Sequence, residues 1–104
     1  MKSKRTKACE IPSVVKAIVW KRDNESCIFC GRWVPMSNAC LHLVNRAHGG
    51  LGIETNIVTG CNECHAKLDN STDRMKMMAR AVDYMCEKYG HWNSAENTYR
   101  KEGT

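Results

Sequence analysis

Two Cys-x-x-Cys pairs, Cys27/Cys30 and Cys61/Cys64, bracket residues 31–60 and constrain this chain more than any other feature. Two residues between thiolates let both sulfurs reach one ion, and four thiolates close a tetrahedral shell. The spacing predicts a structural zinc on Cys27, Cys30, Cys61 and Cys64 that leaves no open position for chemistry. With 104 residues the chain has room for one compact domain whose apolar core gives thin stability, which the ion is expected to supplement. Cys9, Cys40 and Cys86 remain. Cys86 falls in a helical apolar pattern and reads as packing. Cys9 reads as an exposed thiol, and Cys40 as a small buried side chain sharing a strand face with a histidine. An odd total of seven cysteines, behind a start with no apolar secretory segment, argues against a disulfide framework and for an intracellular setting.

The formal net charge of +5 points to an anionic partner, but its placement matters. Lys2, Lys4, Arg5 and Lys7 supply four of the sixteen basic residues, and residues 8–104 net only +1. The charge is mainly an N-terminal tail. Residues 1–10 are expected as a basic flexible arm able to track phosphates. Four bound thiolates and one dication would lower the whole to about +3, so a general basic surface is not the argument for a nucleic-acid partner. No apolar run is long enough for a membrane-spanning helix.

Pro12 suits a first helical turn, and Val14, Val15, Ile18 and Val19 recur at helical spacing with Lys16, Lys21 and Arg22 on the surface. That helix should end near Arg22, before the turn-rich 23–26. Residues 39–44 fit a strand with Cys40, His42 and Val44 on one face and Leu41 and Leu43 on the other. Gly49, Gly50 and Gly52 mark 45–54 as a loop, and 55–59, β-branched apart from Asn56, reads as a second strand, closed by Gly60 and pairing as a hairpin. A short helix is expected over 62–70. A longer one over 72–89 would be capped by Ser71 or Thr72, with Asp73 near its positive end and Gly90 as terminator. Its apolar stripe is read as Met75, Met78, Ala79, Val82, Met85, Cys86 and Tyr89. In the tail, 91–104, Trp92 and Tyr99 are the candidate anchors.

The zinc-bracketed segment and its flank hold His42, His48, Asn56, His65 and Asp69, the densest set of base-type and ligand-type side chains in the chain. His65 and Asp69 are four apart, so on a helix they share a face and can hold a divalent ion from one side. On spacing alone, Asp69 fits a plain solvated helix end better.

As a set, Cys27-x-x-Cys30, His42, Gly49-Gly50, Asn56 and Cys61-x-x-Cys64-His65 resemble the HNH endonucleases, in particular the small phage type. The likeness covers roughly residues 14–70, with Val19-Trp20-Lys21-Arg22-Asp23 leading into the first knuckle. It implies an α+β, zinc-stabilised ββα-metal fold with flanking N-terminal and C-terminal helices. The nuclease domain would span 11–90, with its motif core over 27–70. It also implies a metal-dependent hydrolase of DNA phosphodiester bonds, nicking or cutting both strands and leaving 5′-phosphate and 3′-hydroxyl ends. His42 would be the general base, Asn56 would brace the loop, and His65 would bind one catalytic divalent cation, Mg2+, Mn2+, Ni2+ or Zn2+.

One residue departs from the pattern. Many family members carry an acidic metal ligand just before the first histidine, where this chain has Leu41. Three readings follow: His65 is helped by Asp69 as a ligand, the site holds metal weakly, or the chain is a degenerate member. His48 reads as a solvated loop residue. DNA contact would run through backbone phosphates, using Arg46, Lys67, Arg32 and the arm, with little sequence readout. The resemblance also brings phage packaging proteins such as a terminase into view as partners, and the cytoplasm of a bacterial host as the setting. The competing reading is a noncatalytic zinc-knuckle module that binds nucleic acid or protein. Such a module needs neither His42 nor Asn56 nor His65.

Overall fold

The computed structural model describes residues 2–70 and 72–100. The chain forms α1 (Lys4–Cys9), α2 (Ser13–Arg22), β1 (Leu41–His42), β2 (Ile57–Val58), α3 (Asn62–Asn70) and α4 (Arg74–Tyr89). Single 3-10 turns lie at Met36–Asn38, Arg46–His48 and Ala95–Asn97. The result is a small α+β arrangement, helices around one two-stranded antiparallel sheet. Among the described residues no helix is long and apolar enough to cross a membrane.

In the sheet, Leu41 stands opposite Val58 and His42 opposite Ile57. The expected alternation is present: Leu41 and Leu43 are buried, while Cys40, His42 and Val44 are partly exposed. Both strands are shorter than the 39–44 and 55–59 read from the sequence. Beyond His42 the backbone contributes one more bond, Leu43 N–H to the Asn56 carbonyl at 2.9 Å. There the Asn56 side chain takes over the pairing with Val44 and ends the ladder.

Two apolar clusters flank the sheet. The larger joins Cys27, Cys61 and Cys64 to Leu41, Leu43, Val58, Leu68, Met77, Ala81 and Met85; the smaller is Val19, Ala39 and Ile57, with Ile11, Val15 and Trp20 against it. Pro12 is the N-cap of α2, one position before the helix. Val14 and Ile18, placed on the apolar stripe from sequence, are 63% and 44% exposed. A sheet only two residues long covers the Val15–Val19 line and no more. Arg22 also departs from expectation. Its side chain is 10% exposed and leaves the surface for the interior. The chain then reverses through Asn24 and Glu25, both at φ +58°, a left-handed pair that side chains rarely adopt.

Helix α4 begins at Arg74, two residues later than read, with Asp73 at the N-cap. Ser71, one of the two candidate caps, lies outside the described residues. The buried stripe is Met77, Ala81 and Met85, with Met78, Tyr84 and Tyr89 packed against the same core. Met75 is 84% exposed and Ala79 is also outside, so the expected stripe is rotated. Apolar residues at 75, 77, 78, 79, 81 and 82 encircle the first turns, so a 3.6-residue period fits either face. The buried carboxylate of Asp23 draws Tyr84 inward and thereby helps select one of them. Gly90, at φ +87°, ends the helix by donating to the Cys86 carbonyl at 2.8 Å.

The two chain ends also differ from expectation. The arm read over 1–10 is, from Ser3 on, a capped helix: the Ser3 side chain accepts from Thr6 N–H, and Cys9 is 2% exposed, not an outward thiol. Beyond Gly90, Trp92 Nε1 donates to the Thr55 carbonyl, as its aromatic character suggested. Tyr99 contributes its backbone, N–H to the Gly49 carbonyl at 2.7 Å. The buried anchor is Asn97, 2% exposed, whose Oδ1 accepts from Thr55 and whose Nδ2 donates to the Asn93 carbonyl. Residues 101–104 of the tail lie outside the described residues.

Candidate active site and metal centre

The four cysteine sulfurs lie within 4.8 Å of one another, a set that could hold a zinc ion. The first knuckle closes on Gly31, at φ +80°, with Gly31 N–H donating to the Cys27 carbonyl and Cys27 N–H to the Arg32 carbonyl. The second opens α3, where His65 N–H donates to the Cys61 carbonyl and Cys64 N–H points at Cys61 Sγ. Cys27, Cys61 and Cys64 are buried and Cys30 is exposed. Burial pushes the Cys27 thiol up, but backbone N–H groups of the knuckles outweigh it and bring it down to about 7. Burial and the neighbouring thiols push Cys64 up instead. A dication among the sulfurs removes the conflict between them, which suits this donor set to zinc.

On the other side of α3 a cleft of about 440 Å3 is lined by His42, Arg46, His65, Asp69, Arg74 and Cys40, among others. β1 supplies His42, half-buried, from its outward face. Nε2 of His42 lies 3.0 Å from the Cys9 carbonyl oxygen. A carbonyl only accepts, so in the neutral ring Nε2 carries the proton and Nδ1 keeps the lone pair. Burial holds the imidazole below its ordinary 6.5, with the Cys9 carbonyl opposing the effect, the Arg46 charge adding to it and the Cys40 backbone opposing it.

Asn56 is fully buried beneath the loop. Its Oδ1 accepts from Val44 N–H at 2.8 Å, and its Nδ2 donates to the carbonyls of Val44 and Leu51, at 3.3 and 2.9 Å. One side chain thus ties the two ends of the 45–51 loop. Gly50 lets the backbone close, since a Cβ there would sit 1.7 Å from the Val44 oxygen.

On α3, His65 Nε2 lies 3.4 Å from Asp69 Oδ2, with both side chains about half exposed. The spacing did bring the pair to one face. Among the described residues the four cysteines are the only group of three or more His, Cys, Asp or Glu whose ligand atoms converge as metal ligands. An ion held by His65 and Asp69 would have two protein ligands and would draw the rest from water or phosphate. Leu41 does not join them. Its side chain is 2% exposed, in the core, where Gly60 makes room: a Cβ on Gly60 would sit 2.3 Å from Leu41 Cδ1.

Of the cations expected to meet phosphates, only Arg46 lines this cleft. Lys67 lines a separate groove beside Cys30 and Cys64, and Arg32 faces Glu63 at 3.7 Å. His48 is exposed in the 3-10 turn that Asn45 caps. Arg74, passed over in the sequence, is the second cleft cation; it donates to the Leu68 carbonyl at 3.1 Å. Its position just past the α3–α4 break was the only available signal. Comparison of the chain with protein-family models, curated proteins and solved structures found no match. The likeness to HNH enzymes therefore stands on the motif residues themselves.

Proposed function

We propose that this protein is a metal-dependent endonuclease of the HNH type that hydrolyses DNA phosphodiester bonds. The observation that carries the reading is the meeting of a lone-pair imidazole, His42, with His65, Asp69, Arg46 and Arg74 around one cleft. A base, a two-ligand cation site and two guanidinium groups are the parts phosphodiester hydrolysis needs. A divalent ion on His65 and Asp69 would supply stabilisation of charge on the phosphate and on the departing 3′ oxygen. Arg46 and Arg74 bind non-bridging phosphate oxygens and hold the phosphorus in reach. Nδ1 of His42 takes a proton from water as the water oxygen bonds to phosphorus. The bond to O3′ breaks with its electron pair going to O3′, which then takes a proton from solvent. The products are a 5′-phosphate and a 3′-hydroxyl. Asn56 keeps the loop closed and β1 in register.

The test is incubation of supercoiled plasmid with the protein and Mg2+, Mn2+ or Ni2+, in wild type and His42→Ala. Relaxed or linear DNA is expected with wild type, reduced about 10²- to 10⁴-fold in the variant. Equal cutting by both proteins, or none by wild type under all three ions, overturns the reading.

The buried Leu41 and the two-ligand limit at His65 and Asp69 favour one alternative, a zinc-knuckle module that binds nucleic acid without cutting it. Its signature is retention of DNA in a gel shift with no cleavage under any of the three ions.

A further inference from the structure

We infer that α1 is a positioning element of the His42 site, supplied from outside the zinc-bracketed segment. This rests on the nuclease reading for its consequence, though not for its geometry. The last carbonyls of a helix have no partner within it. In α1 two of these go to the hairpin: the Ala8 carbonyl accepts from Gly52 N–H at 2.9 Å, and the Cys9 carbonyl meets His42 Nε2 at 3.0 Å. Arg5 adds a third tie, Nη2 to the Ala47 carbonyl at 2.8 Å, across the 3-10 turn of the same loop. The Cys9 thiol is buried by this docking.

Gly52 is what allows it. A Cβ there would lie 1.8 Å from the Glu10 oxygen, so only glycine lets the chain leaving α1 run against the loop. His42 sits on a strand of two residues, and the Cys9 carbonyl is the partner that reaches its ring from outside that strand. The Cys9 carbonyl selects the nitrogen that carries the proton and leaves the other with its lone pair. Arg5, read from sequence as one of the phosphate-tracking cations, has a guanidinium arm on a backbone carbonyl instead.

The experiment compares the full chain, purified with zinc, as wild type, Gly52→Ala, Arg5→Ala and Arg5→Lys. The first readout is the His42 ring N–H by 15N-edited NMR. It should be visible and protected in wild type, exchange too fast to see in Gly52→Ala, weaken in Arg5→Ala, and be partly restored in Arg5→Lys. The second readout is plasmid cleavage, where Gly52→Ala should lower kcat by about tenfold to a hundredfold with KM little changed. A folded Gly52→Ala whose His42 ring N–H keeps wild-type protection overturns the inference. If Gly52→Ala does not fold, Arg5→Ala decides by the same signal, an unchanged resonance being the overturning result. Should no protein cut DNA while the ring signal behaves as described, the nuclease reading fails and the positioning role of α1 survives.

Discussion

Arg22 grips Asp23 with two hydrogen bonds, Nε to Oδ1 at 2.7 Å and Nη2 to Oδ2 at 3.0 Å, at a place where the carboxylate is wholly buried. The remaining polar atoms are also partnered. Arg22 donates to the carbonyls of Glu54 and Ile57 and to the Tyr89 hydroxyl, while Asp23 accepts from Thr59 N–H and from the Tyr84 hydroxyl. One pair of neighbours in sequence thus fastens α2 to the second strand and to α4. The carboxylate holds the Arg22 guanidinium charged, and burial raises the Tyr84 hydroxyl so that it stays a donor.

Removing either partner leaves the other charge buried and unpaired. Arg22→Met is expected to destabilise the domain by about 3–5 kcal/mol. Arg22→Lys should recover only part of that, because an ammonium cannot reproduce the fork. Tyr84→Phe should cost about 1–2 kcal/mol. Urea unfolding followed by circular dichroism measures all three, and a wild-type midpoint for Arg22→Met would contradict the arrangement.

With zinc on the four cysteines as proposed, its removal should unfold the chain. Three of the four cysteines are part of the larger apolar cluster, so losing the ion places like-charged or unpaired thiols inside the core. Chelation or Cys61→Ser is expected to abolish native circular dichroism, whereas His65→Ala, half exposed on α3, should keep the fold and lose cleavage. A native spectrum after complete zinc removal would rule out the structural role.

Asn56→Ala should cost about 2–4 kcal/mol, since it strands the part-buried N–H of Val44 and two carbonyls at once. Gly50→Ala attacks the same loop closure sterically. Both should show a faster-exchanging Val44 amide in hydrogen exchange while the zinc content stays at wild-type level. Protection of Val44 equal to wild type in Asn56→Ala would show that the loop holds itself closed.

The pH dependence follows from His42. Its folded state disfavours the charged ring, so in the window just below 6.5 the unfolded chain binds more protons than the folded one. Stability therefore rises with pH through that window; the contribution is present above 6.5 and lost as pH falls through the folded value. On the proposed nuclease reading, His42 as the base would stay in its working form to lower pH than a solvent-exposed histidine. The acid limb of the cleavage profile should accordingly fall below pH 6.5. A limb at or above 6.5 in the zinc-loaded wild type would remove His42 from the role of base.

Local chemistry in the sequence determined several elements directly. Chelate spacing places Cys27, Cys30, Cys61 and Cys64 together, because two intervening residues suffice for a knuckle wherever it sits. Strand alternation separates Leu41 from His42, and helical spacing puts His65 beside Asp69. These are short-range consequences of backbone geometry. The tertiary structure alone decided the long-range partners. Opposite charges at Arg22 and Asp23 read as surface and turn until the neighbouring carbonyls and hydroxyls that satisfy them are in view. The face that α4 buries, the burial of Cys9, and the Cys9 carbonyl on His42 depend on which distant groups need a partner, and no period in the chain encodes that. Leu41 shows both halves: alternation sent its side chain inward, and only the packed core showed it filling the space above Gly60.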